Sequence, residues 1–418
     1  MTPLLAAIAL LPTQTANADA IFRQGKFPVA KALYSEIVRD HPRDVAATRQ
    51  LGYIAMLGND FPAAERLLAR VLQLKPGDGK AKLMLAETLY RQDKFVEAAP
   101  LLRNLDKATE AERGTVYPSL KYAKLASFKG LKPYDVRGPG QSTTIKLLTI
   151  EPLPLLHVRI NGSKDLTFFI DTGAAEVTLD PALATKLGVP TLGTDTGTFS
   201  GGMKMAACHG RIKFMKLGDW EIRNLPTQML DLKPLAAAFG RRIDGIIGTM
   251  LFYHFITTLD YPKQELTLNL KTPQNRSRIL KHQPGDISLP IWLAGDHFAV
   301  TPGSINGSKP YMVFVDTGYI GGIFKAAPTT LKLCDLVLDT DQAEKATGAG
   351  GGFTMTPFKI KEFALGEAKA VDGTGTFEGV FPWENTYGFF LSGMTGQDFF
   401  RPYAMTFDYV GMKILLRK

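Results

Sequence analysis

Two short stretches of the sequence bring together residue types that could carry out acid–base chemistry. The first is Phe168–Ala174, in which three apolar residues lead into Asp171, a threonine and a glycine. The second is Val313–Tyr319, which repeats the pattern around Asp316, 145 residues later. Two carboxyl groups within hydrogen-bonding distance cannot readily both ionise, so they share one proton. One of them can then take a proton from a water while the other donates a proton to the group under attack.

Each aspartate is predicted to lie at the end of a β-strand, at the tip of a tight turn. The prediction rests on the apolar runs that precede Asp171 and Asp316. Gly173 and Gly318 let the chain bend sharply at these places, because glycine has no Cβ that could clash. The shared-proton chemistry therefore requires two such turns that face each other.

The two stretches belong to a longer internal repeat. Four landmarks recur in the same order, and the offset between the copies changes only from 145 to 148 residues. They are Ile160–Lys164 with Ile305–Lys309, Asp171–Gly173 with Asp316–Gly318, Asp244–Gly248 with Ser392–Gly396, and Leu259–Tyr261 with Phe407–Tyr409. Chance similarity would not keep this order with so little slippage. The sequence therefore predicts a duplicated domain, with lobe one at 141–271, a polar linker at 272–285 and lobe two at 286–418.

Both lobes are predicted to be rich in β-structure. β-Branched and alternating segments are separated by Gly, Pro, Asn and Asp, which is typical of short strands joined by turns. Leu155–Ile160 and Leu166–Ile170 are predicted strands, with Asn161-Gly162 as the hairpin turn between them. The second of these strands delivers the first aspartate.

Segment 19–112 has a helical periodicity instead. Phenylalanine and alanine each recur every 34 residues, at Phe27, Phe61 and Phe95 and at Ala30, Ala64 and Ala98. This is the period of tetratricopeptide repeats, whose units are helix pairs that stack into an array. A polar phrase before each phenylalanine is expected to form the turn inside the pair. Residues 113–140 are interpreted as the connection to lobe one. Such arrays bind peptides or protein partners, or act as spacers.

Residues 1–18 have features of a secretory signal peptide. A short apolar run at Pro3–Leu11 is followed by polar residues and by Ala-x-Ala cleavage sites within Ala16–Ala20. No lysine or arginine precedes the run. The first helix of the next domain, or a start site placed too far downstream, is therefore an alternative explanation. We expect a periplasmic or secreted protein, with the cytoplasm as the alternative.

The bulk composition excludes several other functions. The net charge is +9 over 418 residues, and the basic residues are too scattered to follow a phosphate backbone, so no nucleic-acid partner is expected. Cys208, Cys334 and the six histidines are dispersed, so neither a metal site nor another cofactor is expected, and free thiols are favoured over a disulfide. No later run reaches about 18 apolar residues, so no stable membrane span is expected.

The paired motifs resemble those of the aspartic protease family. The resemblance covers residues 141–418 and comprises an apolar run into Asp-Thr-Gly, a glycine-rich segment, and apolar residues before a glycine. Each lobe resembles a retroviral-type, retropepsin-like subunit, and the pair resembles a fused dimer as in the bilobed pepsins. The resemblance implies an all-β, bilobed acid-protease barrel fold for these residues, which follow the all-α tetratricopeptide-type repeats. It also implies an endopeptidase that hydrolyses peptide bonds with a water activated between Asp171 and Asp316.

The resemblance also assigns roles to the neighbours of the two aspartates. The hydroxyls of Thr172 and Thr317 are expected to cross between the lobes and to hydrogen-bond the opposite backbone. Ile246–Gly248 and Met394–Gly396 are expected to pack behind the two turns. Ala174 and Tyr319 stand where many pepsins carry a hydroxyl that stabilises the ionised aspartate. Without that donor, the pKa values of the pair should rise and the activity optimum should lie at weakly acidic to near-neutral pH.

Two glycine-containing segments are expected to form flaps that cover a substrate. The candidates are Gly201, Gly202 and Met203 in lobe one and Gly351, Gly352 and Phe353 in lobe two. Two flaps would resemble the retroviral arrangement, whereas ordinary hairpins without substrate contact are the alternative. A third Asp-Thr-Gly, at Asp195–Gly197, lacks a preceding apolar run and is interpreted as a loop.

Three alternatives to a protease with lobes paired in one chain stay open. Lobe two departs from the family pattern, because Thr395 replaces an apolar residue and Ser392 replaces an acid. It could therefore keep the fold without supporting catalysis. The whole chain could also be a non-catalytic peptide-binding adaptor, or the lobes could pair between two chains.

Overall fold

The computed structural model describes residues 14–103, 105, 122–199, 202, 204–348 and 351–418. Three predicted features lie wholly or partly outside these ranges. They are most of the signal peptide, part of the connection at 113–140, and the flap residues Gly201 and Met203. Within them, no helix has both the length and the apolar character needed to cross a membrane.

Helix pairs form the N-terminal part of the chain, as the 34-residue period predicts. Residues 14–23 are helical. The helices that follow are α1 (Phe27–Asp40), α2 (Val45–Leu57), α3 (Phe61–Leu74), α4 (Gly79–Tyr90) and α5 (Phe95–Leu102). Asp44 and Asp78 occupy matching places in successive repeats and cap α2 and α4, where their carboxylates accept hydrogen bonds from backbone amides.

The turn inside each helix pair uses a left-handed residue. Gly25, Asn59 and Asp93 have φ of +74°, +54° and +62°, and all three lie in the polar phrase that precedes a phenylalanine. Glycine, asparagine and aspartate tolerate this backbone region better than other residues. The turn predicted from the repeated phrase is therefore confirmed in all three pairs.

Lobe one is a closed β-barrel with short helices. Its helices are α6 (Tyr122–Ala126), α7 (Pro181–Lys186), α8 (Lys233–Ala238) and α9 (Thr249–Phe252). Its strands are β1 (Asp135–Arg137), β2 (Ser142–Lys146), β3 (Leu155–Ile160), β4 (Leu166–Ile170), β5 (Val177–Leu179), β6 (Thr191–Thr198), β7 (Lys204–Leu217), β8 (Trp220–Met229), β9 (Gly245–Ile247), β10 (Phe255–Asp260) and β11 (Glu265–Leu270). The order β8-β5-β9-β4-β3-β7 closes on itself because β7 also pairs with β8.

Lobe two repeats this arrangement. After α10 (Pro273–Ile279), its helices are α11 (Pro328–Leu333) and α12 (Gln397–Phe400). Its strands are β12 (Ile287–Pro290), β13 (Trp292–Ala294), β14 (Phe298–Ile305), β15 (Tyr311–Val315), β16 (Phe324–Ala326), β17 (Glu344–Gly348), β18 (Gly351–Leu365), β19 (Ala368–Phe377), β20 (Leu391–Thr395), β21 (Ala404–Asp408) and β22 (Lys413–Arg417). The order β14-β15-β20-β16-β19-β18 closes through the pairing of β14 with β18.

A six-stranded sheet joins the two lobes, in the order β12-β22-β21-β10-β11-β2. Its central pair is β10 with β21, in which Thr258 lies opposite Thr406. These threonines are 148 residues apart, and their hydroxyls form a 2.8 Å hydrogen bond. Because matching positions of the repeat meet at the centre of the sheet, a local two-fold relation between the lobes runs through it. The duplication predicted from the landmarks is thus a pairing of lobes within one chain.

Three segments have more regular structure than the sequence suggested. Asp195–Gly197, interpreted as a loop, lies in β6 and pairs with residues 205–207 of β7, so that interpretation was wrong. Apolar and polar residues alternate only weakly in this segment, which is why the sequence did not indicate a strand. Pairing with the long strand β7 stabilises its extended conformation. The predicted connection at 113–140 contributes α6 and β1, and the predicted linker at 272–285 contains α10.

The helical repeats pack directly against the β-lobes. Phe27 of α1 contacts Trp292 and Phe389 of lobe two, with ring centroids 5.2 Å and 4.9 Å apart. Phe22 also packs edge-on against Phe389 at 6.0 Å. One continuous hydrophobic core therefore runs from the repeats into both lobes.

Candidate active site

Matching strands deliver the two aspartates to the junction between the lobes. Strand β4 pairs in parallel with β9, and β15 pairs in parallel with β20. The Asp171 amide donates to the Ile247 carbonyl at 3.0 Å, and the Asp316 amide donates to the Thr395 carbonyl at 2.9 Å. Each aspartate is thus held at the end of a buried strand by the segment that the sequence predicted to pack behind it.

The turn after each aspartate orients its carboxyl group. The Gly173 amide donates to Asp171 Oδ1 at 2.7 Å, and the Gly318 amide donates to Asp316 Oδ1 at 2.8 Å. Both aspartates keep part of their surface exposed, while the flanking threonines are buried. The carboxyl groups are therefore fixed in position but open toward the cleft.

The two glycines bring the carboxyl groups together across the lobe junction. A Cβ added to Gly173 would lie 2.6 Å from Asp316 Oδ2, and one added to Gly318 would lie 2.4 Å from Asp171 Oδ1. Each carboxyl thus occupies the space that a side chain on the opposite glycine would need. Glycine is required here for close approach, beyond its freedom in a turn.

Thr172 and Thr317 lock the two turns together, as the resemblance implied. The Thr172 hydroxyl donates to the Val315 carbonyl at 3.0 Å and accepts from the Thr317 amide at 2.9 Å. In return, the Thr317 hydroxyl accepts from the Thr172 amide at 3.0 Å, and its contact with the Ile170 carbonyl is longer, at 3.5 Å. The reciprocal bonds fix one turn relative to the other.

The electrostatic setting favours a shared proton. Burial, together with the neighbouring charge of Asp316 and a hydrogen bond to it, raises the pKa of Asp171 well above its usual value. The Gly173 and Ala174 amides oppose this effect because they stabilise the ionised form. The two carboxyls lie within hydrogen-bonding distance, so they can share one proton.

Where lobe two departs from the family pattern, at Ser392 and Thr395, the residues present form hydrogen bonds that support the second turn. In lobe one, Asp244 Oδ2 accepts a hydrogen bond from the Thr167 amide at 2.8 Å. In lobe two, the Ser392 hydroxyl donates to the Met312 carbonyl at 3.1 Å, which joins the matching segments. The buried Thr395 hydroxyl donates to the Ile323 carbonyl at 2.7 Å. The second turn therefore has support of the same kind as the first.

Tyr319, which follows the second motif, points into lobe two. Its hydroxyl forms a 2.7 Å hydrogen bond with Thr376 Oγ1, and its side chain is buried. Ala174 stands at the matching place in lobe one and has no hydroxyl. The structure thus gives Tyr319 a partner within its own lobe.

The predicted flaps are hairpins that reach across to the opposite lobe. Gly202 lies at the tip of the β6–β7 hairpin, where an added Cβ would be 3.1 Å from Val380 of lobe two. Gly351 and Gly352 begin β18 and pair with the end of β17, and Phe353 follows them. Strand β17 contacts α8 of lobe one. Contact between these hairpins and a substrate stays a prediction.

Sequence reasoning missed two side chains that touch the first active-site turn. His297 Nε2 donates to the Gly173 carbonyl at 2.9 Å. The buried Glu176, two residues after Ala174, accepts hydrogen bonds from residues outside lobe one's barrel. One signal was available, because Glu87 and Arg91 lie four residues apart at the mostly apolar C-terminal end of α4. A helix that is apolar around most of its surface is expected to be covered by another part of the protein, so charged residues within it indicate polar contacts with that part.

Comparison with known proteins gives matches in both parts of the chain. Residues 156–251 match the family model described as aspartyl protease. Residues 15–79 and 55–113 match two models described as tetratricopeptide repeat. The comparison with curated proteins found no match.

Among solved structures, the chain is similar to a retropepsin-like aspartic protease from Rickettsia conorii. The similarity has 18% sequence identity and a TM-score of 0.23, and it covers 33% of this chain and 94% of that one. The family matches agree with the helix pairs and with the barrel that carries Asp171. The resemblance predicted from the sequence is therefore confirmed as far as the family models reach: tetratricopeptide-type repeats at the N-terminus precede a segment, 156–251, that matches the aspartyl protease model.

Proposed function

We propose that this protein is an aspartic endopeptidase whose active site forms between the two lobes of a single chain. The observation that carries the proposal is the reciprocal packing of the two turns, in which each carboxyl lies against the opposite glycine. This arrangement needs both lobes, and it places two carboxyls where they can share one proton. A fold kept only for binding would not require such an approach of two acids.

The proposed reaction uses the pair as one acid–base unit. A water held between Asp171 and Asp316 loses a proton to the ionised carboxylate and attacks the peptide carbonyl carbon. The protonated carboxyl donates to the carbonyl oxygen, which gives a neutral tetrahedral intermediate. One carboxyl then donates its proton to the leaving nitrogen as the C–N bond breaks, while the other carboxylate takes a proton from a hydroxyl of the intermediate, so that an acid and an amine form and the shared proton is restored. The threonine lock keeps the carboxyls fixed throughout, so little reorganisation is needed.

The proposed substrate is an extended peptide that lies beneath the two hairpins. Hairpin edges offer backbone groups for pairing, and an extended chain places alternate side chains on opposite sides. A separate apolar cluster lies beside the first aspartate and includes Phe169 and Ile246, with Phe199 and Ile320 packed against it. This cluster favours apolar side chains near the scissile bond.

For the repeats, we propose recruitment of a protein partner through their outer helices. Helices α1 and α3 each bury one side and leave many residues exposed. Helices α2 and α4 are buried over most of their length, so they do not offer a free groove. A partner would therefore bind the exposed side of the array.

The test of the protease proposal is peptide-library cleavage by wild type, Asp171→Asn and Asp316→Asn. Both variants should lose cleavage by at least about 1000-fold, because each removes one half of the shared-proton unit. Asp165→Asn is the matched control, since Asp165 is exposed in lobe one and pairs with Arg159 at the surface. Wild-type protein that binds peptides but cleaves none would favour the adaptor alternative.

We also propose export to the periplasm or out of the cell, with cleavage after Ala18. The Ala-x-Ala pattern supports this site. Asp19 would then remain to accept the hydrogen bond from the Tyr34 hydroxyl. Mass determination of the mature N-terminus from the native host tests the proposal, and an intact Met1 would contradict it.

A further inference from the structure

The end of helix α4 touches both lobes at once. Tyr90 is its last residue, and Arg91 follows as its C-terminal cap. The two side chains are buried and point to different partners, Tyr90 to lobe one and Arg91 to lobe two. The third repeat is therefore wedged between the lobes, behind the active-site turns.

The contact with lobe one ends on a buried carboxylate. The Tyr90 hydroxyl donates to Glu176 Oε1 at 2.6 Å, and Lys124 Nζ of α6 donates to the same oxygen at 2.6 Å. The Lys124 and Glu176 side chains are 2% and 4% exposed. Ions this deeply buried are tolerated only when paired and hydrogen-bonded, so the geometry of Glu176 is tightly constrained.

Glu176 belongs to the segment that returns from the Asp171 turn. The Thr249 amide donates to the Ala174 carbonyl at 3.0 Å, and the Met250 amide donates to the Ala175 carbonyl at 2.9 Å. Gly248 packs so closely that an added Cβ would lie 2.5 Å from the Glu176 carbonyl oxygen. A shift of Glu176 would therefore be transmitted to the turn along a short, tightly packed segment.

The contact with lobe two reaches the same turn from the other side. Arg91 Nη2 donates to the Leu293 carbonyl at 3.1 Å and also to the Gly295 carbonyl. These carbonyls lead directly into Asp296, whose carboxylate holds His297 Nδ1. His297 Nε2 donates to the Gly173 carbonyl at 2.9 Å. The second path thus ends one peptide unit from the amide that orients Asp171.

We propose that the third repeat is a clamp that positions the Asp171 turn, with Tyr90, Glu176 and His297 as positioning residues. The clamp acts from two sides, through Glu176 and through His297, and it makes the repeats part of the catalytic unit. Its kinetic consequence depends on the proposed protease function. Its structural consequence, a turn held rigid by the repeats, does not.

The test compares two hydroxyl deletions at the interface between the repeats and the lobes. Tyr90→Phe removes the bond to Glu176 but keeps the ring stacked on Phe95, with centroids 4.8 Å apart. Tyr53→Phe is the matched control, because the buried Tyr53 hydroxyl donates to the Tyr387 carbonyl of lobe two at 3.0 Å, and its removal leaves the bond between Tyr90 and Glu176 in place. Both variants lose one buried hydrogen bond between the repeats and a lobe.

The expected results differ between the two variants in two measurements. In Tyr90→Phe, amide hydrogen exchange over residues 170–177 should accelerate about 10-fold or more, and kcat should fall about 10- to 100-fold with KM nearly unchanged, because a misplaced group costs rate more than binding. In Tyr53→Phe, both quantities should stay within about 2-fold of wild type. A Tyr90→Phe variant that matches Tyr53→Phe in either measurement overturns the clamp.

The His297 side of the clamp has its own rescue experiment. His297→Leu should reproduce the Tyr90→Phe pattern, and His297→Gln should restore most of kcat, since its amide can still donate to the Gly173 carbonyl. Equal activity of the two variants would overturn the role of His297. If wild type cleaves no peptide, the protease proposal fails, and the exchange measurements alone then decide whether the clamp exists.

Discussion

Replacement of Thr172 by valine tests how much the lock between the lobes contributes. Valine has nearly the same shape as threonine but no hydroxyl. The change deprives the Val315 carbonyl of its donor and the Thr317 amide of its acceptor, at 3.0 Å and 2.9 Å. Both backbone groups are buried, so water cannot replace the lost bonds at low cost.

The expected cost follows from these two groups. Each buried polar group left without a partner costs about 1–3 kcal/mol, so Thr172→Val, which leaves two such groups, should lower the free energy of unfolding by about 2–6 kcal/mol. Thr317→Val loses one good bond and one contact of 3.5 Å, so it should cost about 1 kcal/mol less. Thr172→Ser keeps the hydroxyl and should lie within about 1 kcal/mol of wild type.

Urea unfolding followed by tryptophan fluorescence gives these differences, and peptide cleavage by the same samples gives kcat. Thr172→Val should lose more activity than Thr317→Val, as it should lose more stability, because the hydrogen bonds between the two turns set the distance between the carboxyls. The reasoning fails if Thr172→Val is within about 0.5 kcal/mol of wild type, which is the usual range for surface substitutions. It also fails if Thr317→Val costs clearly more than Thr172→Val.

Three further changes test the site and its surroundings. Gly318→Ala places a Cβ 2.4 Å from Asp171 Oδ1, so kcat should fall at least about 100-fold while circular dichroism stays that of the wild type; an active alanine variant would contradict the close approach. The raised pKa of Asp171 predicts that kcat is highest at weakly acidic to near-neutral pH and falls as the shared proton leaves; a maximum at strongly acidic pH would contradict it. Burial, opposed by Arg91, raises the pKa of Glu87 to about 7, so its stabilising effect should be complete below its usual pKa near 4.5 and should be lost as pH rises through 7. The stability of wild type relative to Glu87→Gln should therefore fall by up to about 3 kcal/mol between pH 4.5 and 7.5, and a difference that does not change with pH would refute this assignment.

The sequence predicted those parts of the molecule that depend on local patterns seen twice or more. The 34-residue period gave the helix pairs, and the left-handed Gly25, Asn59 and Asp93 explain why the same phrase recurs. The paired motifs likewise gave Asp171 and Asp316 as one site. A pattern that recurs in register limits the structure much more strongly than a single copy does, because each copy must satisfy the same geometry.

The contacts between distant parts of the chain could not be predicted in this way. Tyr90 and Glu176 are 86 residues apart, and His297 and Gly173 are 124 residues apart. Neither contact leaves a periodic trace, since each joins two residues that occur once. Asp195–Gly197 shows the same limit, because its strand conformation comes from pairing with β7 and its own residues carry little strand preference.

The two aspartates occupy equivalent turns, yet their supports differ. Glu176 directly precedes β5, and Ile323 directly precedes β16, the matching strands that pair with β9 and β20. Ile323 is therefore the counterpart of Glu176, and an isoleucine side chain cannot accept a hydrogen bond from a clamp. In lobe two, the Ile323 carbonyl instead accepts from the Thr395 hydroxyl, within the lobe. The Asp171 turn therefore has two supports from outside its barrel, through Glu176 and through His297 of lobe two, in addition to the bonds from Thr249 of its own barrel. Duplication supplies two equivalent carboxyls, and the third repeat makes their surroundings unequal through its contact with Glu176. A change in the third repeat should consequently act on the pair through Asp171.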